Sequence, residues 1–242
     1  MVDDVASGDA AASAGFKVAD RIQNTLIGQA ITAAQVEKHV ADAQRIGFNA
    51  ITVPGCWVGF ARELLRRNGS AGIVLGAILD FPYGSATTAE RVAGAAALVA
   101  AGVAEIDATV HIGLALSGRR TEFSADLVAV VEAARPVPVK FMLELPLLTA
   151  PQRDFVVDAA VAAGAAFVKN ASRGAVGIAD VAQISYLRKR VPDSVGVKAS
   201  GGIRTLRQVH ELLDAGADLI GTSAGVAIVT GTRTAGDSLD AY

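Results

Sequence analysis

Apolar runs alternate along the chain with stretches whose apolar residues recur every three or four positions, and this alternation predicts strands and helices in regular succession. Gly72 to Leu79 is apolar throughout and is closed by Asp80-Phe81-Pro82-Tyr83-Gly84, which suits a strand covered on both faces. Asn49 to Val53 reads as another strand, ended by Pro54-Gly55. Between them Trp57 to Arg67 has helical periodicity, and Asn68-Gly69 turns the chain. Upstream, Thr32 and Gln35 have capping-box spacing, Val36, Val40, Ala43 and Ile46 share one helical face, and Gly47 stops the helix.

One junction recurs. Gly47, Gly102, Gly164 and Gly216 each end a helical pattern two or three residues before a strand, and glycine accepts the left-handed conformation that reverses the chain there. Eight strands result, near 22–27, 49–54, 72–79, 105–110, 139–144, 166–171, 195–200 and 219–223, the first with a polar centre. Eight strands alternating with helices predict an α/β fold, a (β/α)8 TIM barrel, as a single domain over residues 15–231. An open doubly wound sheet is the alternative, but no Gly-x-Gly-x-x-Gly follows the first strand. Residues 1–14 and 232–242 read as flexible tails, the second ending in Tyr242.

Composition narrows the function classes. At 242 residues and 52% hydrophobic, the chain has the material for one large core. A net charge of −2 and a pI near 5.9 give no electrostatic reason to expect nucleic acid or an anionic membrane as partner. The longest uncharged alanine- and valine-rich run, Val92 to Ala104, is too short to span a bilayer, and the acidic start Met1-Val2-Asp3-Asp4 is unlike a secretory signal. A single cysteine, Cys56, excludes an intramolecular disulfide and suits a reducing, cytoplasmic setting. It reads as a small buried apolar side chain rather than a reactive thiol.

The candidate chemistry lies in lysines that interrupt strands. Of six lysines, Lys140, Lys169 and Lys198 fall within apolar runs, while Lys17, Lys38 and Lys189 have polar or helical surroundings. A buried ammonium loses hydration, and a neighbouring cation lowers its pKa further, until the neutral amine can attack a carbonyl. Strand alternation aligns Lys169 with Phe167 and Ala171, Lys198 with Gly196 and Ser200, Asp107 with Glu105 and Thr109, and Lys140 with Met142 and Glu144. Asp107, Lys140, Lys169 and Lys198 are therefore expected to converge on one pocket near the C-terminal strand ends. A buried ion-pair network without catalysis is the plainer alternative. Two glycine-rich loops follow, Ser200-Gly201-Gly202-Ile203-Arg204-Thr205 and Gly221-Thr222-Ser223-Ala224-Gly225, where barrels hold phosphate on backbone N–H groups and a helix N-terminus. His39, His210, Trp57 and Tyr186 read as surface or packing residues, and Arg119-Arg120 as a solvated loop pair. His111, after a strand end, has no partners spaced for a metal site.

From about Ile22 to Gly231 the chain resembles the deoxyribose-phosphate aldolases, class I aldolases. The segments that carry the likeness are Val197-Lys198-Ala199-Ser200-Gly201-Gly202-Ile203-Arg204-Thr205, Phe167-Val168-Lys169, Glu105-Ile106-Asp107, Val139-Lys140 with Glu144, Phe81-Pro82-x-Gly84 and Gly221-Thr222-Ser223-x-Gly225. The resemblance implies a metal-free barrel that reversibly splits 2-deoxy-D-ribose 5-phosphate into acetaldehyde and glyceraldehyde 3-phosphate. It implies no cofactor beyond a covalent lysine Schiff base. It assigns Lys169 as the Schiff-base lysine, Lys198 as the neighbour that lowers its pKa, Asp107 as proton relay and Lys140 as an auxiliary. Gly201, Gly202, Arg204 and Ser223 would surround the phosphate, with Gly221, Ser172 and Arg173 as further substrate contacts, and Tyr242 would help to move the enamine proton. A homodimer is an assembly open to it.

The chain also departs from that family. Gln23-Asn24-Thr25 stands where an Asp-x-Thr is usual, Val53-Pro54-Gly55-Cys56 where Asn-Pro or Tyr-Pro is usual, and Asn170-Ala171-Ser172-Arg173-Gly174 where Thr-Ser-Thr-Gly is usual. A neutral Gln23 is expected to weaken the favourable field on Lys198, and Arg173 adds a cation near the phosphate loop. These changes leave open a different carbonyl donor or acceptor, a catalytically silent sugar-phosphate-binding barrel, or an isomerase with Asp107 or Glu144 as base.

Overall fold

A strand that must bury both faces needs helices on one side and other strands' side chains on the other, and a closed barrel supplies both. A computed structural model describes residues 18–69 and 72–232. Its eight strands are β1 (Ile22–Thr25), β2 (Ala50–Val53), β3 (Val74–Leu79), β4 (Glu105–Thr109), β5 (Val139–Met142), β6 (Phe167–Lys169), β7 (Gly196–Ser200) and β8 (Leu219–Thr222). They pair in order as parallel neighbours, and β1 closes the ring against β8. The helices are α1 (Ala33–Ile46), α2 (Val58–Arg67), α3 (Thr88–Ala101), α4 (Ile112–Leu116), α5 (Arg120–Ala134), α6 (Ala150–Ala162), α7 (Val181–Arg190), α8 (Leu206–Asp214) and α9 (Gly225–Thr230). The barrel expected from the pattern is the barrel found. The tail expected at residues 1–14 and the terminal Tyr242 lie outside the described residues.

Alternation along each strand divides the core in two. Ile51, Ile106, Ala108, Phe141, Val168, Val197, Ala199 and Ile220 are buried in the apolar layer shared with the helices. The intervening positions carry the buried polar set, Gln23, Glu105, Asp107, Lys140, Lys169, Lys198 and Ser200. Two strand glycines make room for this set. A Cβ on Gly196 would lie 2.2 Å from the Phe167 ring, and one on Gly221 would lie 2.8 Å from Cε of Lys198.

The helix ends follow local chemistry. Thr32 and Gln35 form the expected capping box on α1, and Gly47 stops the helix at φ 83°. The same device opens and closes α3, with Thr87, Glu90 and Gly102. Inside α3, Arg91 is buried and reaches past its own helix. Its Nη1 donates to Oδ2 of Asp80 and to the Thr109 carbonyl, both at 2.7 Å, and its Nε lies 3.1 Å from Asp126. This ties the loop after β3 to the end of β4. Replacing Arg91 with methionine strands two carboxylates, so a stability loss of about 3–5 kcal/mol is expected in urea unfolding.

Several surface expectations change. Cys56 is exposed rather than buried, because Pro54 ends β2 and the chain enters a 3-10 turn, Gly55–Trp57, that has no buried residue. His39 is buried; its Nδ1 lies 3.3 Å from the Asn24 amide, and burial pulls its pKa down to about 4. Trp57 and Tyr186 do pack, Trp57 against Phe60 and Tyr186 with a hydrogen bond to Asp154. Arg119 caps α5 and pairs with Glu122, while Arg120 begins the helix and stacks over Phe155. No helix among the described residues is long and apolar enough to cross a membrane.

Candidate active site

Lys169 and Lys198 are register partners on β6 and β7, and each sends its ammonium to one oxygen of Asp107 on β4. Lys198 Nζ lies 2.7 Å and Lys169 Nζ 3.0 Å from that oxygen, Oδ2. One carboxylate therefore serves two cations, and none of the three residues is more than 7% exposed. Burial lowers the pKa of Lys169; Asp107 opposes that, Lys198 adds to it, and the balance brings the amine down to about 8. Burial alone would raise Asp107, but Lys198, then Lys169 and Lys140, hold its carboxyl below the usual carboxylate range.

Lys140 does not join this pair at the mouth. It stands across from Asp107 and Phe167 in the register, two residues below the Met142–Lys169 level. Its Nζ contacts Glu105 Oε2 at 2.5 Å and Gln23 Oε1 at 2.9 Å, and lies 4.9 Å from the Phe167 ring centre. Burial, with Lys198 next, lowers its pKa despite Asp107 and Glu105. The Gln23 amide also donates to Glu105 and to Asn49. Gln23 thus acts on Lys140 and Glu105 directly, not on Lys198 as expected from the sequence. Glu144 leaves the strand alternation as well: it has φ 53° at the 3-10 turn after β5. Its Oε1 accepts the Ser172 N–H at 3.0 Å, and burial raises its pKa.

Above Lys169 lies a cleft open to solvent. Ser172, Arg173, Gly201, Gly202, Arg204, Gly221 and Ser223 all line it, so the loops singled out in sequence meet around one space. Gly201 and Gly202 have φ of 109° and 65°, and a Cβ on Gly201 would sit 2.5 Å from the Gly177 carbonyl. The segment leading into the following helix already uses two of its donors. Thr205 caps α8, and the N–H groups of Arg204 and Thr205 both donate to Gln208 Oε1. Gly221 is part of β8, where its missing side chain admits Lys198.

Other features were not legible in sequence. Ile27, Ile78, Phe81 and Met142, drawn from four separate segments, add apolar side chains to the lining of the cleft. Asn170, noted only as a departure, is fully buried; it donates to Gln183 and accepts the Ser200 N–H at 2.8 Å, which ties β6 to β7 and α7. Arg173 is half-buried, with its guanidinium carbon 5.6 Å from the Tyr83 ring centre. Tyr242 lies outside the described residues. Among those residues, no three His, Cys, Asp or Glu side chains are grouped so as to hold a metal ion.

The site thus pairs an amine of lowered pKa with a carboxylate and a second lysine, beneath a cleft lined by the two glycine-rich loops. No protein-family model matches the chain. Individual relatives do. Deoxyribose-phosphate aldolase of Methanocella arvoryzae is 36% identical over 216 residues, 89% of this chain and 96% of the relative. The enzyme of that name from Lysinibacillus sphaericus is 36% identical over 87% of this chain and 93% of its own. The solved structure of deoxyribose phosphate aldolase from Aeropyrum pernix, described as a tetramer, superposes with a TM-score of 0.82 at 27% identity, covering 95% of this chain and 97% of that one.

Proposed function

The chain belongs to the deoxyribose-phosphate aldolase family, and from that premise we propose that it is a Schiff-base aldolase acting on 2-deoxy-D-ribose 5-phosphate or a related phosphorylated substrate. The observation that carries the reading is the amine of Lys169, lowered to about 8 and open to the cleft. In the cleavage direction the neutral amine adds to the substrate aldehyde and loses water to give an iminium. The C3 hydroxyl then gives up its proton, the C2–C3 bond breaks, and its electron pair flows into the iminium as an enamine while glyceraldehyde 3-phosphate leaves. Protonation of the enamine carbon and hydrolysis release acetaldehyde and restore the lysine.

Asp107 and Lys198, which share a hydrogen bond at 2.7 Å, carry protons between these steps. The apolar lining of Ile78, Phe81 and Met142 keeps water from the enamine. Gly201, Gly202, Arg204 and Ser223 hold the phosphate, so Arg204→Ala is expected to raise KM for the phosphorylated aldehyde by about 10–100-fold with a smaller change in kcat, since it removes binding common to ground and transition states. Steady-state kinetics with phosphorylated and unphosphorylated acceptors check this. Ser172 and Arg173 line the same side, and Arg173 favours an acceptor with more negative charge as the second reading. We place the reaction in the cytoplasm, without a metal or bound cofactor. Tyr242 as a proton-transfer residue remains part of the proposal.

Product analysis tests the reaction. Acetaldehyde and glyceraldehyde 3-phosphate should be converted to 2-deoxyribose 5-phosphate. No product from that pair, with product from another phosphorylated acceptor, would select the second reading.

A further inference from the structure

The polar interior of the barrel holds an uneven set of charges. Three amines, Lys140, Lys169 and Lys198, face two carboxylates, Glu105 and Asp107, and all five residues are at most 7% exposed. If every group were ionised, one positive charge would be left uncompensated in a medium where that is costly. Glu144 and Arg173, on the loops above, add one charge of each sign and leave the balance as it is.

The excess is not shared evenly. Lys140 has its own carboxylate, an amide oxygen and the face of Phe167. Lys169 and Lys198 must divide one oxygen of Asp107. Gln23 decides this division because it occupies the position between Lys140, Glu105 and Asn49 with a neutral amide. A carboxylate there would pair with Lys140 and bring the interior to neutrality.

Resting on the Schiff-base reading, we propose that Gln23 is a positioning residue acting through charge: by bridging Lys140 and Glu105 without adding an anion, it keeps the interior one positive charge in excess, and Lys169 relieves that excess by releasing its proton. The groups facing Lys169 agree with this. Asp107 from β4 and Glu144 from the loop after β5 favour its ammonium, Lys198 from β7 opposes it, and burial outweighs the acids. A unit charge placed two residues lower in the barrel, about 7 Å away, is expected to move the proton equilibrium of Lys169 by about 1–2 pH units at an effective dielectric near 20.

The test is the pH midpoint of borohydride-trapped adduct at Lys169, measured with acetaldehyde on the full chain. Gln23→Glu, which adds a negative charge, should raise the midpoint by about 1–2 units, and Glu105→Gln, which removes one, should lower it. A packing role for Gln23 alone would change yield or stability without ordering the midpoints by charge. Coincident midpoints, or the reverse order, would overturn the proposal, and either variant that folds is enough to decide its sign. If the wild-type protein traps no adduct at all, the Schiff-base reading itself fails, which is a separate outcome.

Discussion

Replacing Lys169 with methionine should abolish trapping by borohydride and lower kcat/KM by at least about 10³-fold, because among the described residues no other lysine lines the cleft and the covalent route is lost. Lys198 is the nearest alternative, but both its contact with Asp107 and the close approach of Gly221 hold it beside the pocket wall. The same substitution should not weaken the fold. A lysine whose folded pKa of about 8 lies below its value of about 10.4 in an unfolded chain makes the unfolded state bind more protons between those two values. Stability therefore rises with pH across that window, and below about pH 8 burial of the ammonium costs on the order of 3 kcal/mol. Lys169→Met removes this cost and leaves Asp107 paired one to one with Lys198. Urea unfolding at pH 7 should find the variant at least as stable as the parent. A variant that is much less stable and still traps adduct would make Lys169 a structural residue.

Asp107→Asn has the second large effect, on both stability and rate. It leaves Lys169 and Lys198 together without their carboxylate, and a loss of about 3–5 kcal/mol is expected at neutral pH. The sign with pH follows from a folded pKa held low. Asp107 contributes its full stabilisation above the unfolded carboxyl pKa of about 3.9 and loses it as pH falls toward the folded value. The gap between parent and variant should thus be constant near neutrality and close in acid. Turnover should fall by about 10²–10⁴-fold as the proton carrier is lost. A variant with normal turnover would move the proton transfer to another group, and Glu144, which holds the Ser172 N–H, would be the next to test.

How much of this was legible in sequence depended on the range of the interaction. The barrel was, because its signals are local: the capping box at Thr32, glycine stops at Gly47 and Gly102, and apolar runs of strand length. The lysine cluster was too, since strand alternation fixes which residues face inward. Height within the barrel was not, because it depends on the stagger of neighbouring strands; Lys140 therefore appeared level with Lys169 although it belongs with Glu105 and Gln23. Nor did residue type reveal which donors were already engaged. The loop after Gly201-Gly202 looked free to bind phosphate, yet Gln208 accepts the N–H groups of Arg204 and Thr205, just before the helix. Cys56 looked buried by composition, and only the turn made by Pro54 exposes it. The Asp80–Arg91–Asp126 network joins residues far apart in the chain, and no local pattern marks it.

The central claim is that a buried amine, deprotonated at modest pH by its surroundings, becomes the covalent carrier of the substrate carbon. Peptide mapping of protein incubated with acetaldehyde and reduced with borohydride at pH 8 tests it directly. The reduced adduct should be found on Lys169 and be absent from Lys38 and Lys189. An adduct confined to those two outer lysines, or none on any residue, would contradict it.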